Sequence, residues 1–266
     1  MMRVSHVGVI VILFLLSFFL SAGFVVADWH GGKVLVMYKK GSDGWVQHNY
    51  NDSSAWGKFR NEFAEQGWNV AFARHVDAAK LSEYDALFVL TPTKNIPDDE
   101  AEAIINWVKG GGQLVIGQSD GKIEPYANEI TETFGIKFEK SAKMEMKNFT
   151  VHALTTTPNY LKEVKGASKA RSMNISGSSI PLGFDAKGRC LLAINESAGD
   201  GVIVAIGDEW LWSNSKFGKA DNEELLDNIL VYFTRTCSVP EFSTLTFLIP
   251  VFLLAVLFLF RRKGCV

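Results

Sequence analysis

The sequence predicts an α/β protein with a mostly parallel sheet flanked by helices, and three observations lead there. Five short apolar runs have the composition of buried strands: Lys33–Tyr38, Asn69–Ala73, Asp85–Leu90, Gln113–Gly117 and Gly201–Ile206. The first two and the next two are joined by segments with helix signals, long enough for the crossovers that parallel pairing needs. A closing segment, Asp221–Phe233, sets Leu225, Leu226, Ile229, Leu230 and Phe233 on one face at helical spacing, which is ordinary core packing.

Taken in order, Val34-Leu35-Val36-Met37 is followed by polar and glycine residues, which ends strand one. Ser53 or Ser54 then caps a helix through Gln66, with Trp56, Phe59, Phe63 and the stem of Arg60 along one side and Gly67 as its stop. After strands two and three, Pro97-Asp98-Asp99-Glu100 opens a helix by placing proline and acids in its first turn. Gly110-Gly111-Gly112 ends it ahead of strand four. Tyr126–Phe134 reads as helix, residues 136 to 200 alternate short strands and turns, and the last strand and helix follow.

Both ends of the chain are apolar. Val7–Leu20 follows a basic start at Arg3 and runs into Val25-Val26-Ala27, a small-x-small pattern that a signal peptidase accepts, so residues 1–27 read as a signal peptide. Ser243–Phe260 would be about 27 Å long as a helix, enough to cross a hydrocarbon core of about 30 Å. Arg261-Arg262-Lys263 after it stays on the cytoplasmic side, which turns residues 28–239 outward and the carboxyl terminus inward. Pro240-Glu241-Phe242, the apolar helix and the basic cluster together resemble the PEF-CTERM sorting signal of archaeal surface proteins, over residues 240–266. The resemblance implies that an archaeosortase, a membrane-embedded cysteine transpeptidase, removes this tail.

Residues 28–239 carry 23 basic and 28 acidic side chains, a formal charge of −5, and no linker or internal repeat divides them. One domain is expected, without the basic footprint that nucleic acid requires. Cys190 and Cys237 either pair or are buried separately; Cys265 lies in the inner tail. No zinc spacing is present. Asn51, Asn148, Asn174 and Asn195 begin Asn-x-Ser/Thr sequons, on the side where glycans are added.

Ligands of open parallel sheets bind beyond the carboxyl ends of the strands. The loops there contribute Trp45, His48, Asn49 and Tyr50, then Thr91 and Thr93, then Ser119 and Asp120, and last Asp208, Glu209, Trp210, Trp212, Ser213 and Asn214. Trp45, Tyr50, Trp210 and Trp212 offer apolar faces beside polar groups, a mixture suited to sugar rings or a protein partner, although Trp210 or Trp212 also has the composition to close the core. Gly117-Gln118-Ser119-Asp120-Gly121 matches the G-x-S-x-G elbow, but Pro125 opposes the helix that should begin there, which favours a glycine-flanked turn. His48 is the nearest base available to Ser119, with His75 and His152 more distant. Asp120, Asp208 and Glu209 are candidates for a carboxylate pair or, with His48, for a hard metal ion; turn and capping roles are commoner for such residues.

The strand order, the glycine-rich turn before strand four and the Gly207-Asp208-Glu209 loop resemble class I glutamine amidotransferase-like domains, with a flavodoxin-like three-layer fold, over Lys33–Phe233. The elbow cysteine of the catalytic members is Ser119 here, the histidine of their His-Pro-Glu is Gly207, and Thr91-Pro92-Thr93 replaces their oxyanion loop. Of that triad only Glu209 matches. The resemblance therefore implies a relative without glutaminase activity; no cofactor or metal is expected, because no ligand spacing identifies one. The expected function is a binding or structural module at the cell surface that recognises an envelope glycan or a surface protein. A serine hydrolase using Ser119 and His48, and a purely structural envelope component, are the alternatives.

Overall fold

The first apolar run forms β1, Lys33–Met37, in which every residue after Lys33 is buried, as a strand covered on both faces requires. β3 (Ala86–Leu90) and β4 (Gln113–Gly117) are buried throughout, as is β12 (Gly201–Ile206). β2 (Asn69–Ala73), only half-buried, is the sheet edge. The computed structural model describes residues 31–119, 123–166 and 169–237. The expected signal peptide, the Pro240-Glu241-Phe242 motif and the apolar span after it lie outside the described residues. Among the described residues no helix is long and apolar enough to cross a membrane.

The sheet runs β2-β1-β3-β4-β12 with all neighbours parallel. The chain steps one way from β1 to β2 and the other way from β3 to β4. Right-handed crossovers then place the two connecting helices on opposite faces. Accordingly α1 (Ser53–Glu65) packs with the C-terminal helix, whereas α2 (Ala78–Leu81) packs with α3 (Asp98–Lys109), and α3 with α4 (Asn128–Thr131). On the α1 face, Phe59 and Phe63 of α1 meet Phe88 of β3 edge to face, with centroids 6.0 and 5.1 Å away.

Several boundaries differ from the sequence reading. Asp52, not Ser53 or Ser54, caps α1, its carboxylate accepting from Ser54 N at 2.9 Å. Pro97 is the N-cap of α3 rather than its first residue. Tyr126–Phe134 holds only α4 and a 3-10 turn, Glu132–Phe134. The glycine run behaves as expected: Gly111 has φ of 110°, and a Cβ on Gly112 would sit 2.3 Å from the Trp107 ring.

Beyond α4 the chain builds an antiparallel extension on the β12 side. β11 (Cys190–Ala198) pairs with β12, β10 (Ile180–Phe184) with β11, and β7 (Asn148–Phe149) with β10. β5 (Ile136–Ala142) and β9 (Ala170–Ile175) pair with each other and join the sheet through β11. β6 (Glu145–Met146) and β8 (Val164–Lys165) form a separate ribbon, and α5 (Ala153–Thr156) packs on α6 (Asn222–Cys237). Cys190 is a free, buried thiol whose pKa burial raises to about 11, so it is unreactive. The side chain of Cys237 lies outside the described residues.

Candidate functional site

The strand order reverses between β1 and β3, which opens a crevice at their carboxyl ends. Three strand exits and one loop converge there. β3 leads into Thr91, β4 into Gln118 and Ser119, and β12 into Gly207, Asp208 and Glu209; the loop after β1 brings Gln47, His48 and Tyr50.

At the centre lies the Glu209 carboxylate, fully buried. The Thr91 hydroxyl donates to its Oε2, and the Ser119 hydroxyl donates to Oε1 at 3.2 Å. His48 Nε2 stands 3.4 Å from the same Oε1, without a well-aligned hydrogen bond among the described residues. A buried carboxylate is tolerable only when its oxygens find donors, and two hydroxyls from different strands supply them. Thr91 Oγ1 in turn accepts from Ser119 N at 3.0 Å, and Thr91 N donates to Gly117 O at 2.8 Å. These bonds hold Thr91 at φ of 49°, a conformation that a β-branched residue rarely adopts. Beside them the Tyr50 hydroxyl donates to Leu90 O at 3.2 Å. Burial first, and the negative charges of Glu209 and Asp208 next, push its pKa well above the ordinary phenol value.

Most residues expected to contact a ligand are instead interior. Trp45 is buried and donates its indole N–H to Glu100 at 2.9 Å, while its carbonyl accepts from Thr93 N at 2.7 Å. Asp208, also buried, caps the 3-10 turn Glu209–Trp212 by accepting from Trp210 N at 3.0 Å. Trp212 is core, stacked on Phe59 with centroids 5.7 Å apart. Thr91, Ser119 and Glu209 are likewise buried. Asp120 lies outside the described residues.

Asn214 has a specific structural task. α1 leaves helical geometry at Trp56, which frees Lys58 N and the carbonyls of Ser53 and Ser54. The Asn214 amide fills the gap, accepting from Lys58 N at 2.9 Å and donating to Ser54 O and Ser53 O at 2.8 and 3.0 Å. Trp210 reaches solvent, 36% exposed, packed at 4.6 Å between centroids against the half-buried His48. Gln47, whose Oε1 lies 3.5 Å from Ser119 Oγ, carried no sequence signal beyond its place next to His48.

Asn51, Asn148 and Asn174 are exposed. Asn195 is buried, and its Nδ2 donates to Phe134 O at 2.8 Å and Ser179 Oγ at 3.0 Å, so glycosylation there would require this strand to open.

The loop carrying Trp45 and His48 is latched from behind. His75 bridges Asp43 through Nε2 at 3.0 Å and Glu100 through Nδ1 at 2.9 Å, and Arg74 pairs with Asp43. Hydrogen bonds to Asp43 and then Glu100 raise the His75 pKa. A raised histidine stabilises fully below its unfolded value of about 6.5 and loses that contribution as pH rises through the folded value. Glu62, on α1 beside Asp227 of α6, is raised by burial to about 7, and its contribution is likewise lost as pH rises from its unfolded value of about 4.5 through that value. Wild type is therefore expected to lose Tm as pH rises from about 4.5 to about 7 through Glu62, and above about 6.5 through His75. His75→Gln should flatten part of that slope and Glu62→Gln another part; an unchanged slope in His75→Gln would show that the latch carries no charge.

The chemical order of the cluster is serine, carboxylate, histidine. An activated serine needs the histidine between itself and the acid. Ser119 itself makes an isolated bridge with Ala170, and among the described residues the next helix is α4. A side chain at position 207 is sterically barred, since a Cβ there would lie 2.3 Å from Arg171 O. Among the described residues no three His, Cys, Asp or Glu side chains are arranged to hold a metal ion.

Residues 56–230 match the model of a family described as a domain of unknown function, DUF4350. No curated protein matches the chain. Among solved structures, the N-terminal domain of mmIFT52 is similar with a TM-score of 0.64 at 13% identity, over 76% of this chain and 97% of that one. The cytoplasmic protein STM1381 of Salmonella typhimurium LT2 is similar with a TM-score of 0.56 at 14% identity, over 76% and 99% of the two chains. A beta-galactosidase from Rahnella sp. R3 is similar with a TM-score of 0.54 at 14% identity, over 79% of this chain and 32% of that one. At such identities the likeness is one of fold alone.

Proposed function

Because the chain belongs to the DUF4350 family, whose description names no activity, its function has to be argued from the site, and we propose a non-catalytic binding module displayed at the cell surface. In this reading it is an amidotransferase-like domain that has lost its triad, exported by residues 1–27 and held by the apolar segment 243–260 until an archaeosortase acts on the tail. The ligand is an envelope glycan or a neighbouring surface protein, met by the Trp210 ring with His48 beside it.

One observation carries the non-catalytic part: Glu209 stands between Ser119 and His48, and Ser119 is 1% exposed. A hydroxyl that donates to a buried carboxylate and is shut from solvent has neither a histidine base nor room for an acyl group. The same closeness of Ser119, Glu209 and His48 is what favours the serine hydrolase alternative, so the two need a direct test. The full-length protein is expected to hydrolyse no ester or amide probe, and Ser119→Ala to change nothing. Turnover in wild type that disappears in Ser119→Ala would replace the binding reading with the hydrolase. Binding to isolated envelope glycan or surface protein should be retained in Ser119→Ala and lost in Trp210→Ala; no association in either would favour the purely structural role.

A further inference from the structure

A second surface, sharing no residue with the Glu209 cluster, has the charge and shape of a ligand groove. It is a cavity of about 600 Å³ lined by Lys143, Glu145, Lys147, Asn148 and the hairpin Asp185–Arg189. A second cavity of about 420 Å³, holding Tyr160 and Lys162, continues it through the shared residues Lys147 and Asn148. The walls come from the β5–β7 connections, the β10–β11 turn and the segment before β8.

Five basic and two acidic side chains line the two cavities together. Both acids are already engaged. Glu145 lies between Lys143 and Lys147, at 2.5 and 3.2 Å, and these lysines, Lys143 first, hold its carboxyl down at about 2. Asp185 ties the hairpin together: it accepts from Lys187 N and Arg189 N at 2.9 Å each and from Arg189 Nε at 2.7 Å. That closed turn, completed by Gly188 at φ of 74°, fixes the backbone from which Lys187 projects. Lys187 and Lys162 form no ion pair among the described residues, which leaves two ammonium groups on the walls for an incoming anion.

The surroundings bear the opposite sign. With the groove set aside, residues 28–239 retain 18 basic and 26 acidic side chains, a net charge of −8. A long, stiff polyanion would be repelled wherever it left the groove, whereas a short anionic chain would end inside it. The exposed Tyr160 adds a ring on which a sugar face can lie.

We propose that this groove binds a short acidic oligosaccharide, its carboxylate or sulfate groups taken by Lys187, Lys162 and the Lys143–Lys147 pair and one sugar ring resting on Tyr160. The site is separate from the Trp210 surface, and its fate does not depend on that reading.

The test titrates the full-length protein with tetragalacturonate, a neutral tetrasaccharide and a short single-stranded oligonucleotide, at about 20 and about 200 mM salt. Tetragalacturonate is expected to bind, more weakly at the higher salt, and the neutral sugar not to bind. Lys162→Gln with Lys187→Gln, which breaks no ion pair, should weaken binding about tenfold or more. Lys80→Gln with Lys94→Gln, elsewhere on the surface, should leave it unchanged, and so should Trp210→Ala. No binding at low salt, an equal loss in the two lysine pairs, or tighter binding of the oligonucleotide would each overturn the proposal.

Discussion

Trp212→Ala is expected to lower the unfolding free energy by about 3–5 kcal/mol, the range for deleting a large buried aromatic. The indole is fully buried, stacks on Phe59 of α1, lies 6.2 Å from the Phe88 ring of β3, and donates its N–H to Asn222 O at 3.2 Å. It therefore joins the exit of β12 to α1, to the sheet and to the start of α6. Alanine would leave a cavity among parts too well braced to collapse into it, and would strip the partner from a buried carbonyl. Urea unfolding measures the loss, with an unchanged m-value showing that the unfolded state is not the cause. A loss under about 1 kcal/mol would mean that this wall of the site is soft, and Trp212 would return to the list of ligand contacts.

Glu209→Ala should cost about 2–4 kcal/mol, because the carboxylate is the acceptor for two buried hydroxyls and Thr91 holds an unfavourable φ while donating to it. Glu209→Gln should cost less, since an amide keeps one acceptor and can donate to Ser119 Oγ. A double-mutant cycle with Thr91→Val should show coupling above about 1 kcal/mol between the two positions. The opposite result would be as informative. If Glu209→Ala stabilised the protein, the buried carboxylate would be kept for function at the expense of stability, and the hydrolase reading would gain further support.

Of the fold, the strands and long helices were legible in the sequence to within a few residues. β2, β4 and β12 have the expected bounds because a run of apolar residues between turn signals is a local property. The misplaced features depend on competition between neighbours. Asp52 takes the cap from Ser53 and Ser54, and α1 kinks at Trp56 because Asn214, far along the chain, supplies the lost bonds. The one-turn helices Ala78–Leu81 and Ala153–Thr156 are too short to leave a periodic signal.

The candidate site shows where local reading ends. Residue order was enough to name the loops beyond β1, β3, β4 and β12 and to pick out Ser119, Glu209 and His48. That information lies along the chain, in apolar spacing, turn chemistry and charge. Which of those polar groups faces a ligand and which faces the interior was decided by the convergence of strand ends far apart in sequence. Trp45, Trp212 and Asp208 have the same composition whether they line a cleft or close a core, and only their neighbours in space separate the two. The surroundings of Glu209 were decided in the same way: two hydroxyls from other strand ends satisfy its oxygens, and its position between Ser119 and His48 is a distance in space that no spacing in sequence encodes.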